Sequence, residues 1–388
     1  MAIQIQDYLE QDTFNRLKKF ADGQETPFLV VDLATVAAAY DELLSAFPFA
    51  SVYYAVKANP AMEIIQLLKE KGSLFDIASR YELDKVLSAG VTPDRISYGN
   101  TIKKARDVRY FYEKGVRLFA TDSQDDLHNI ARAAPGSKVY VRVLTEGSGA
   151  ADWPLSRKFG CNLDMALDLL ILAKHLGLVP YGVSFHVGSQ QRAIDTWDAA
   201  IAKVKVIFER LKEEDGIDLQ MINLGGGFPA NYMQRTNNLK TYAEEITRYL
   251  DEDFGENRPQ IYLEPGRSLV ANAGMLVSEV VLVSRKSRTA VERWVYLDVG
   301  KFSGLIETSD EAIKYPIWTE KKTDLEEEVI IAGPTCDSAD IMYEDYKYSL
   351  PLNLASGDRL YWLSAGAYTT SYSAVEFNGF PPLKAFYI

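Results

Sequence analysis

The sequence predicts an α/β architecture: a (β/α)8 barrel of the TIM type followed by a second, all-β domain with a barrel-like or sandwich-like build. Three observations predict it. Short runs rich in Val, Ile, Tyr and Phe alternate with segments whose apolar residues recur at spacings of three and four, and this alternation implies parallel strands joined by helices. Eight such runs fit within roughly 220 residues, the size of a (β/α)8 barrel. Beyond about residue 267 the helical spacing stops, and strand-like runs follow one another with turn residues between them.

The eight runs are 51–57 (SVYYAVK), 74–78 (LFDIA), 96–99 (ISYG), 118–121 (LFAT), 138–144 (KVYVRVL), 181–186 (YGVSFH), 219–224 (LQMINL) and 260–264 (QIYLE). Helical spacing is clearest over Met62 to Lys71, Glu82 to Ala89, Asp125 to Ala133, Met165 to His175, Thr196 to Lys212 and Tyr242 to Leu250. An open doubly wound sheet alternates in the same way, and periodicity alone does not separate the two. The later runs are MLVSEVVLVSR, RWVYLDVG, EEVIIAGPT, DRLYWLSAGAY and LKAFYI. An early run, Pro27 to Asp32, has no helical partner upstream in this reading and is assigned to the β domain. The expected division is 37–267 for the barrel, with 1–36 and 268–388 forming the β domain.

A chain of 388 residues is long enough for two cores. Its net charge of -12 argues against a nucleic-acid partner, which needs clustered Lys and Arg. The same acidic balance gives weak support for a cationic small molecule as ligand. Cys161 and Cys336 are too few for a disulfide framework, which points to a reducing, cytoplasmic setting. The N-terminus lacks a basic-then-apolar leader. Apolar runs such as Leu169 to Ala173 are too short for a bilayer, so no membrane partner is expected. The three histidines form no metal-ligand set, and no metal is expected.

Chemistry in such a barrel belongs at the C-terminal ends of the strands, and polar residues collect there. Lys57 closes the first run and Asp76 sits late in the second. Asp122 follows the fourth, Arg142 lies late in the fifth, and His186 closes the sixth. Gly225, Gly226 and Gly227 follow the seventh, and Glu264 closes the eighth. Each has a plain structural reading beside a chemical one. Lys57 is either a solvated strand-end lysine or, once desolvated, an amine nucleophile for an aldehyde cofactor. The glycines are either a flexible turn or bare amides that cradle a phosphate. Glu264 is either the partner of Arg267 in a buried ion pair or a carboxylate on a pyridine nitrogen. His186 is either a satisfied core histidine or a stacking partner for a flat ring, and Ser189 is either a turn residue or a phosphate donor. Asp76, Glu82 and Arg142 form either an ion network or the surroundings of a cofactor. In GPTCDSAD, Cys336 and Asp337 are either a small residue and a turn cap, or a proton donor beside a carboxylate for a cationic tail.

Taken together, YYAVKANP, FDIAS, SFHVGSQ, LGGGFP, EPGR, GPTCDSAD, GAYT and FNGF resemble the motifs of the fold-type III, alanine-racemase-like decarboxylases that use pyridoxal 5'-phosphate. That group includes the ornithine, lysine and diaminopimelate enzymes. The motifs stand in family order across almost the whole chain. The resemblance implies that Lys57 bears the cofactor, His186 stacks on its ring and Glu264 pairs with the ring nitrogen. It implies phosphate binding by Ser189, Gly227, Gly266, Arg267 and Tyr368, with Gly225, Gly226 and Pro265 in the same loops and Asp76 and Arg142 near the cofactor. Cys336 would return a proton to the substrate carbon, and Asp337 would bind the distal ammonium. Both would reach the barrel of a partner subunit, which implies a homodimer with shared sites.

The resemblance also bears on substrate. Asp337, where diaminopimelate enzymes carry Glu, matches the ornithine type, and GLIETSDEAIKYP (304–316) aligns with that type's specificity helix. There Asp310 matches the carboxylate on the substrate's side-chain amine, while Ser309 stands where animal enzymes carry an aromatic residue. Length and pattern are closer to bacterial members, some of which also accept lysine. The implied reaction is decarboxylation of L-ornithine to putrescine. A lysine or dual-specificity enzyme is the alternative. A racemase is disfavoured by the GPTCD element, and a catalytically dead regulatory homologue by the presence of both Lys57 and Cys336.

Overall fold

The computed structural model describes residues 3–145, 151–153, 158–323 and 325–388. In chain order the elements begin with α1 (Gln11–Ala21), β1 (Phe28–Val31), α2 (Leu33–Ala46), β2 (Ala50–Ala55), α3 (Met62–Glu70), β3 (Leu74–Ile77), α4 (Arg80–Ser88) and β4 (Ile96–Tyr98). There follow α5 (Ala105–Glu113), β5 (Leu118–Thr121), α6 (Gln124–Ala133), β6 (Lys138–Arg142), β7 (Ala151–Trp153), α7 (Leu163–His175), β8 (Val179–Ser184), β9 (Ser189–Gln191) and α8 (Asp195–Asp215). The chain continues with β10 (Met221–Asn223), α9 (Leu239–Phe254), β11 (Gln260–Leu263), α10 (Arg267–Val270), β12 (Gly274–Ser284) and β13 (Arg293–Leu297). It ends with β14 (Ile317–Thr319), β15 (Glu326–Ala332), β16 (Ile341–Pro351), β17 (Arg359–Trp362) and β18 (Lys384–Tyr387).

The chain forms two compact units, one of 37–229 and 237–266, the other of 1–36, 230–236 and 267–388. Residues 230–236, which the sequence places in the barrel segment, belong by their contacts to the second unit.

In the first unit, parallel strands close in the order β10-β11-β2-β3-β4-β5-β6-β8. Closure rules out the open sheet that periodicity left standing. All eight predicted runs are barrel strands, but several end earlier than predicted. Lys57 lies past β2 in a short 3-10 turn, Val56–Ala58, and His186 lies two residues past β8. Inside the barrel Tyr53, Leu118, Ala120, Tyr140, Tyr181, Met221 and Tyr262 pack together. The phenols are paired: the Tyr140 hydroxyl lies 2.9 Å from Ser97 Oγ, and Tyr181 donates to Gln260 at 2.8 Å. β7 and β9 pair outside the barrel as a two-stranded ribbon, with Trp153 opposite Ser189.

The second unit holds an eight-stranded sheet running β14-β17-β12-β13-β15-β16, with β1 between β12 and β18. Two sequence expectations change here. Pro27–Asp32 does have a helix upstream, since α1 places Phe14, Leu17 and Ala21 against Phe28, Val30, Met275 and Tyr361. In addition β16, whose centre reads Tyr-Glu-Asp-Tyr-Lys-Tyr, is a full strand that the sequence did not announce. Glu344 and Asp345 are exposed while Met342, Tyr343, Tyr348 and Leu350 are buried, so its apolar side is carried largely by tyrosines. Among the described residues no helix is long and apolar enough to cross a membrane.

β8 meets β6 at a register shift between Val139 and Tyr140, and Gly182 sits opposite Tyr140. A Cβ at Gly182 would lie 2.1 Å from the Met221 carbonyl oxygen. Gly182→Ala should therefore destabilise the barrel by about 1–3 kcal/mol, read as a lower denaturant midpoint at unchanged slope.

Candidate active site

A cavity of about 340 Å3 in the barrel unit is lined by Lys57, Asp76, Ala78, Glu82, Gly99, Asn100, Arg142, Trp153, Phe159, His186 and Ser189. Six of these, Lys57, Asp76, Glu82, Arg142, His186 and Ser189, are residues the sequence singled out. They come from the ends of β3 and β6, the turn after β2, the head of α4, and the loop leading from β8 into β9.

The electrostatics follow from burial. Desolvation pushes the Asp76 carboxyl well above its ordinary range, and the negative charges of Glu264 and Glu82 add to this, while Lys57 and Arg142 pull it back. Its Oδ1 is buried with no hydrogen-bond partner among the described residues. Gly99 is a glycine because Asp76 lies over it, where a Cβ would be 2.0 Å from that same oxygen. Burial also raises the Glu264 carboxyl, against the Asn223 hydrogen bond and the charges of Lys57 and Arg142. Asn223 Nδ2 donates to Glu264 Oε1 at 2.5 Å, and Asn223 Oδ1 accepts the Gly225 N–H at 2.9 Å. One side chain thus ties the carboxylate to the glycine loop. The sequence reading passed over Asn223; its position just upstream of the glycines was the available signal.

The glycine run is packed rather than loose. Gly225 and Gly227 have φ of 69° and 96°. Cβ atoms at 225, 226 and 227 would lie 2.3, 2.5 and 2.6 Å from the carbonyl oxygens of Phe185, Glu264 and Gly188. Only glycine permits both the turn and this approach. Gly266 is packed in the same way against Ala58, in the turn that carries Lys57, at 2.9 Å for a Cβ, and the Pro265 carbonyl accepts the Ala55 N–H at 3.0 Å.

His186 Nδ1 accepts the Gly188 N–H at 2.9 Å, which leaves the proton on Nε2. Burial, then the charges of Arg142 and Lys57, hold this imidazole well below its ordinary value, so it is neutral. Glu82 caps α4: its N–H meets Ser79 Oγ at 3.3 Å, and its Oε2 takes the Ala78 N–H at 2.7 Å. Asp122, by contrast, is outside the cavity lining and accepts the Gly160 N–H at 2.8 Å. Trp153 and Phe159 were not anticipated. Trp153 Nε1 is buried without a partner among the described residues, and the Phe159 ring lies 5.1 Å from the Arg142 guanidinium carbon.

In the β unit, Arg267 is buried and its guanidinium takes both oxygens of Glu307, at 2.6 and 2.5 Å, and the Tyr232 hydroxyl at 3.0 Å. The plain reading of Glu264 as its ion-pair partner gives way to Glu307, forty residues along the chain. Tyr368 has φ of 56°, and its ring faces Arg267 at 4.9 Å. Cys336 and Asp337 are exposed on a turn shaped by its neighbours. Asn378 Oδ1 accepts the Cys336 N–H at 2.9 Å, and buried Asp340 accepts the Lys301 and Thr335 N–H groups at 2.8 and 3.1 Å. The predicted specificity helix is a 3-10 segment, Ile306–Glu311, broken at Ser309 and Asp310.

Residues 33–271 match the family model described as pyridoxal-dependent decarboxylase, pyridoxal binding domain. The chain belongs to this family. A lysine/ornithine decarboxylase of Selenomonas ruminantium is 33% identical over 365 residues, covering 94% of this chain and 90% of that one. An ornithine decarboxylase of Saccharomyces cerevisiae is 32% identical, covering 92% and 80%. Among solved structures, a lysine/ornithine decarboxylase complexed with cadaverine from Vibrio vulnificus superposes with a TM-score of 0.88 at 27% identity, over 98% of this chain and 99% of that chain. The protein is a pyridoxal-phosphate-dependent amino-acid decarboxylase, and pyridoxal 5'-phosphate is its cofactor. The cavity suits that group. The amine of Lys57 in the cavity lining, an orphaned carboxylate oxygen on Asp76 and a nearby glycine main chain that tolerates no Cβ match an aldehyde, a cationic ring and a phosphate.

The His186 shift has a consequence for this decarboxylase's stability. Its folded value lies below the unfolded one of about 6.5, so its contribution is complete above that pH and is lost as pH falls toward the folded value. The raised values of Asp76, Glu82 and Glu264 act in the opposite direction. Cofactor-free His186→Phe should therefore lose less stability than wild type between about pH 7 and pH 5.5, by up to about 1.4 kcal/mol per pH unit, in paired denaturant melts.

Proposed function

We propose that this decarboxylase converts L-ornithine to putrescine and CO2, with L-lysine as the second reading. The observation that carries the proposal is a pair of carboxylates, Asp310 and Asp337, on exposed turns of the β unit, in a chain whose barrel holds the lysine-centred cavity. Two carboxylates withdrawn from water in a closed site select a cationic tail, because leaving them unpaired there against a neutral side chain costs more than a lost methylene contact. Relatives named for ornithine and for lysine support a basic substrate. Asp337 favours the ornithine type. The small side chain of Ser309, in place of an aromatic ring, favours room for lysine.

Roles follow from the residues. Lys57 Nζ would hold the cofactor covalently. When bound, the cofactor supplies an electron sink for the pair left on Cα as CO2 departs. Glu264, oriented by Asn223, keeps the ring nitrogen protonated. His186 would pack on the ring, and being neutral it would add no competing positive charge. Ser189, Gly227, Gly266, Arg267 and Tyr368 bind the phosphate, with Gly225, Gly226 and Pro265 shaping the main chain. Since the Arg267 guanidinium is engaged by Glu307, its share falls to main-chain N–H or to what the fork leaves over. Asp76 and Arg142 set the field around Lys57. Cys336 Sγ gives its proton to Cα.

Within one chain Cys336 and Asp337 are exposed. A proton donor in such a reaction works in a water-poor site, so these residues are assigned to the site of a partner subunit in a homodimer. Mixing inactive Lys57→Ala with inactive Cys336→Ala should restore part of the activity through heterodimers, each with one intact site. Zero recovery with subunit exchange verified by mass would defeat the shared-site assignment.

Ornithine and lysine differ by one methylene, worth about 1–3 kcal/mol in a fitted pocket. Measured side by side on the holoenzyme, kcat/KM should favour ornithine by about ten-fold or more. A preference for lysine would transfer the proposal to the second reading, and Ser309→Tyr would then be expected to restore ornithine preference.

A further inference from the structure

The segment that carries Ser309 and Asp310 is anchored at two carboxylates. Before the break, buried Glu307 grips Arg267 through both oxygens. After it, Glu311 Oε1 accepts the N–H groups of Glu344 and Asp345 at 2.7 Å each, and Oε2 accepts that of Tyr346 at 2.6 Å. These are three consecutive amides of β16. Between the anchors the chain turns sharply: Ser309 has ψ of 134°, and Asp310 and Glu311 have φ of 52° and 51°. Two successive non-glycine residues in the left-handed region are disfavoured and persist only where the surroundings impose them. A carboxylate shared by three amide donors imposes it through charge-assisted hydrogen bonds. The following residues are tied down as well, with the Tyr343 hydroxyl donating to the Ile313 carbonyl at 2.7 Å.

We propose that Glu311 is a positioning residue for substrate selection: its grip on the Glu344–Tyr346 main chain fixes the reversed turn that sets how far the Asp310 carboxylate reaches. The inference rests on the reading of Asp310 as partner of the distal ammonium, and deepens it. A group that discriminates one methylene has to be held to about 0.5 Å. An exposed aspartate on an unanchored turn lacks that precision. Nothing in the sequence marks Glu311, because its partners lie more than thirty residues away and are main-chain groups.

The experiment compares wild-type holoenzyme with Glu311→Ala, Glu311→Gln and Asp310→Ala. For each, kcat and KM are measured on L-ornithine and L-lysine, together with cofactor absorbance and Tm. The expected result is a change of about ten-fold in the ornithine-to-lysine ratio of kcat/KM for Glu311→Ala, expressed mainly in KM, at full cofactor occupancy. Glu311→Gln keeps an acceptor oxygen and should move the ratio the same way by less. If Asp310→Ala shifts the ratio while both Glu311 variants hold the wild-type value, the positioning role is wrong and the Asp310 reading stands. If Asp310→Ala leaves the ratio unchanged, the Asp310 reading fails and takes this inference with it. Should Glu311→Ala not fold, the ratio for Glu311→Gln decides alone.

Discussion

The constraint on which the barrel unit's site depends is the crowding of titratable groups, partly withdrawn from water, at one end of a closed sheet. Half-buried Asp76, Glu264 and Glu82 stand near Lys57, Arg142 and a neutral His186, and desolvation raises each of the three carboxyls. Burial of a charge is costly unless it is paired, and a half-paired cluster is costlier than an apolar core. In this cluster one oxygen of Asp76 is unanswered among the described residues. The surroundings bear the cost. Asn223 braces Glu264, Gly99 makes room for Asp76, and the glycine loop brings its main chain against Phe185 and Glu264. Such a site is completed by a ligand that brings positive charge to the carboxylates and negative charge to the amides, which are the two ends of the cofactor.

Much of this was legible in the sequence because the relevant physics is local. Strand and helix periods identified the barrel strands, and the rule that chemistry sits past strand ends singled out Lys57, Asp76, Arg142 and His186. What escaped had one of two causes. Some elements lacked the expected composition: β16 buries tyrosines between charged residues, and α1 is a short amphipathic helix standing ahead of the strand–helix rhythm. Other features depend on partners far along the chain. Arg267 finds Glu307 rather than the neighbouring Glu264, Asn223 links β10 to the end of β11, and Glu311 binds the backbone of β16. No periodicity encodes a side chain whose partner is a distant main-chain amide.

The same economy recurs in both units. Residues that the sequence singles out sit on short irregular segments, and each segment is held by a side-chain carboxylate or amide. Glu82 caps α4 and thereby fixes the main chain beside Asp76. Glu307 and Glu311 bracket Asp310. Irregular backbone loses hydrogen bonds that a helix or strand would supply, and these side chains replace them.

The turn carrying Cys336 and Asp337 is held in yet another way. Its shape comes from Asp340 and Asn378, which bind main-chain N–H groups of residues 301, 335 and 336. The side chains at 336 and 337 contribute little to that scaffold, the Asp337 carboxylate accepting, among the described residues, only the N–H of Ala339 two residues on. Identity at these two positions is therefore nearly uncoupled from folding. A lineage, or a designer, can exchange the thiol or lengthen the acid without rebuilding the loop, so new chemistry at this turn is open to single-step change in a way that the glycine-packed floor of the barrel is not.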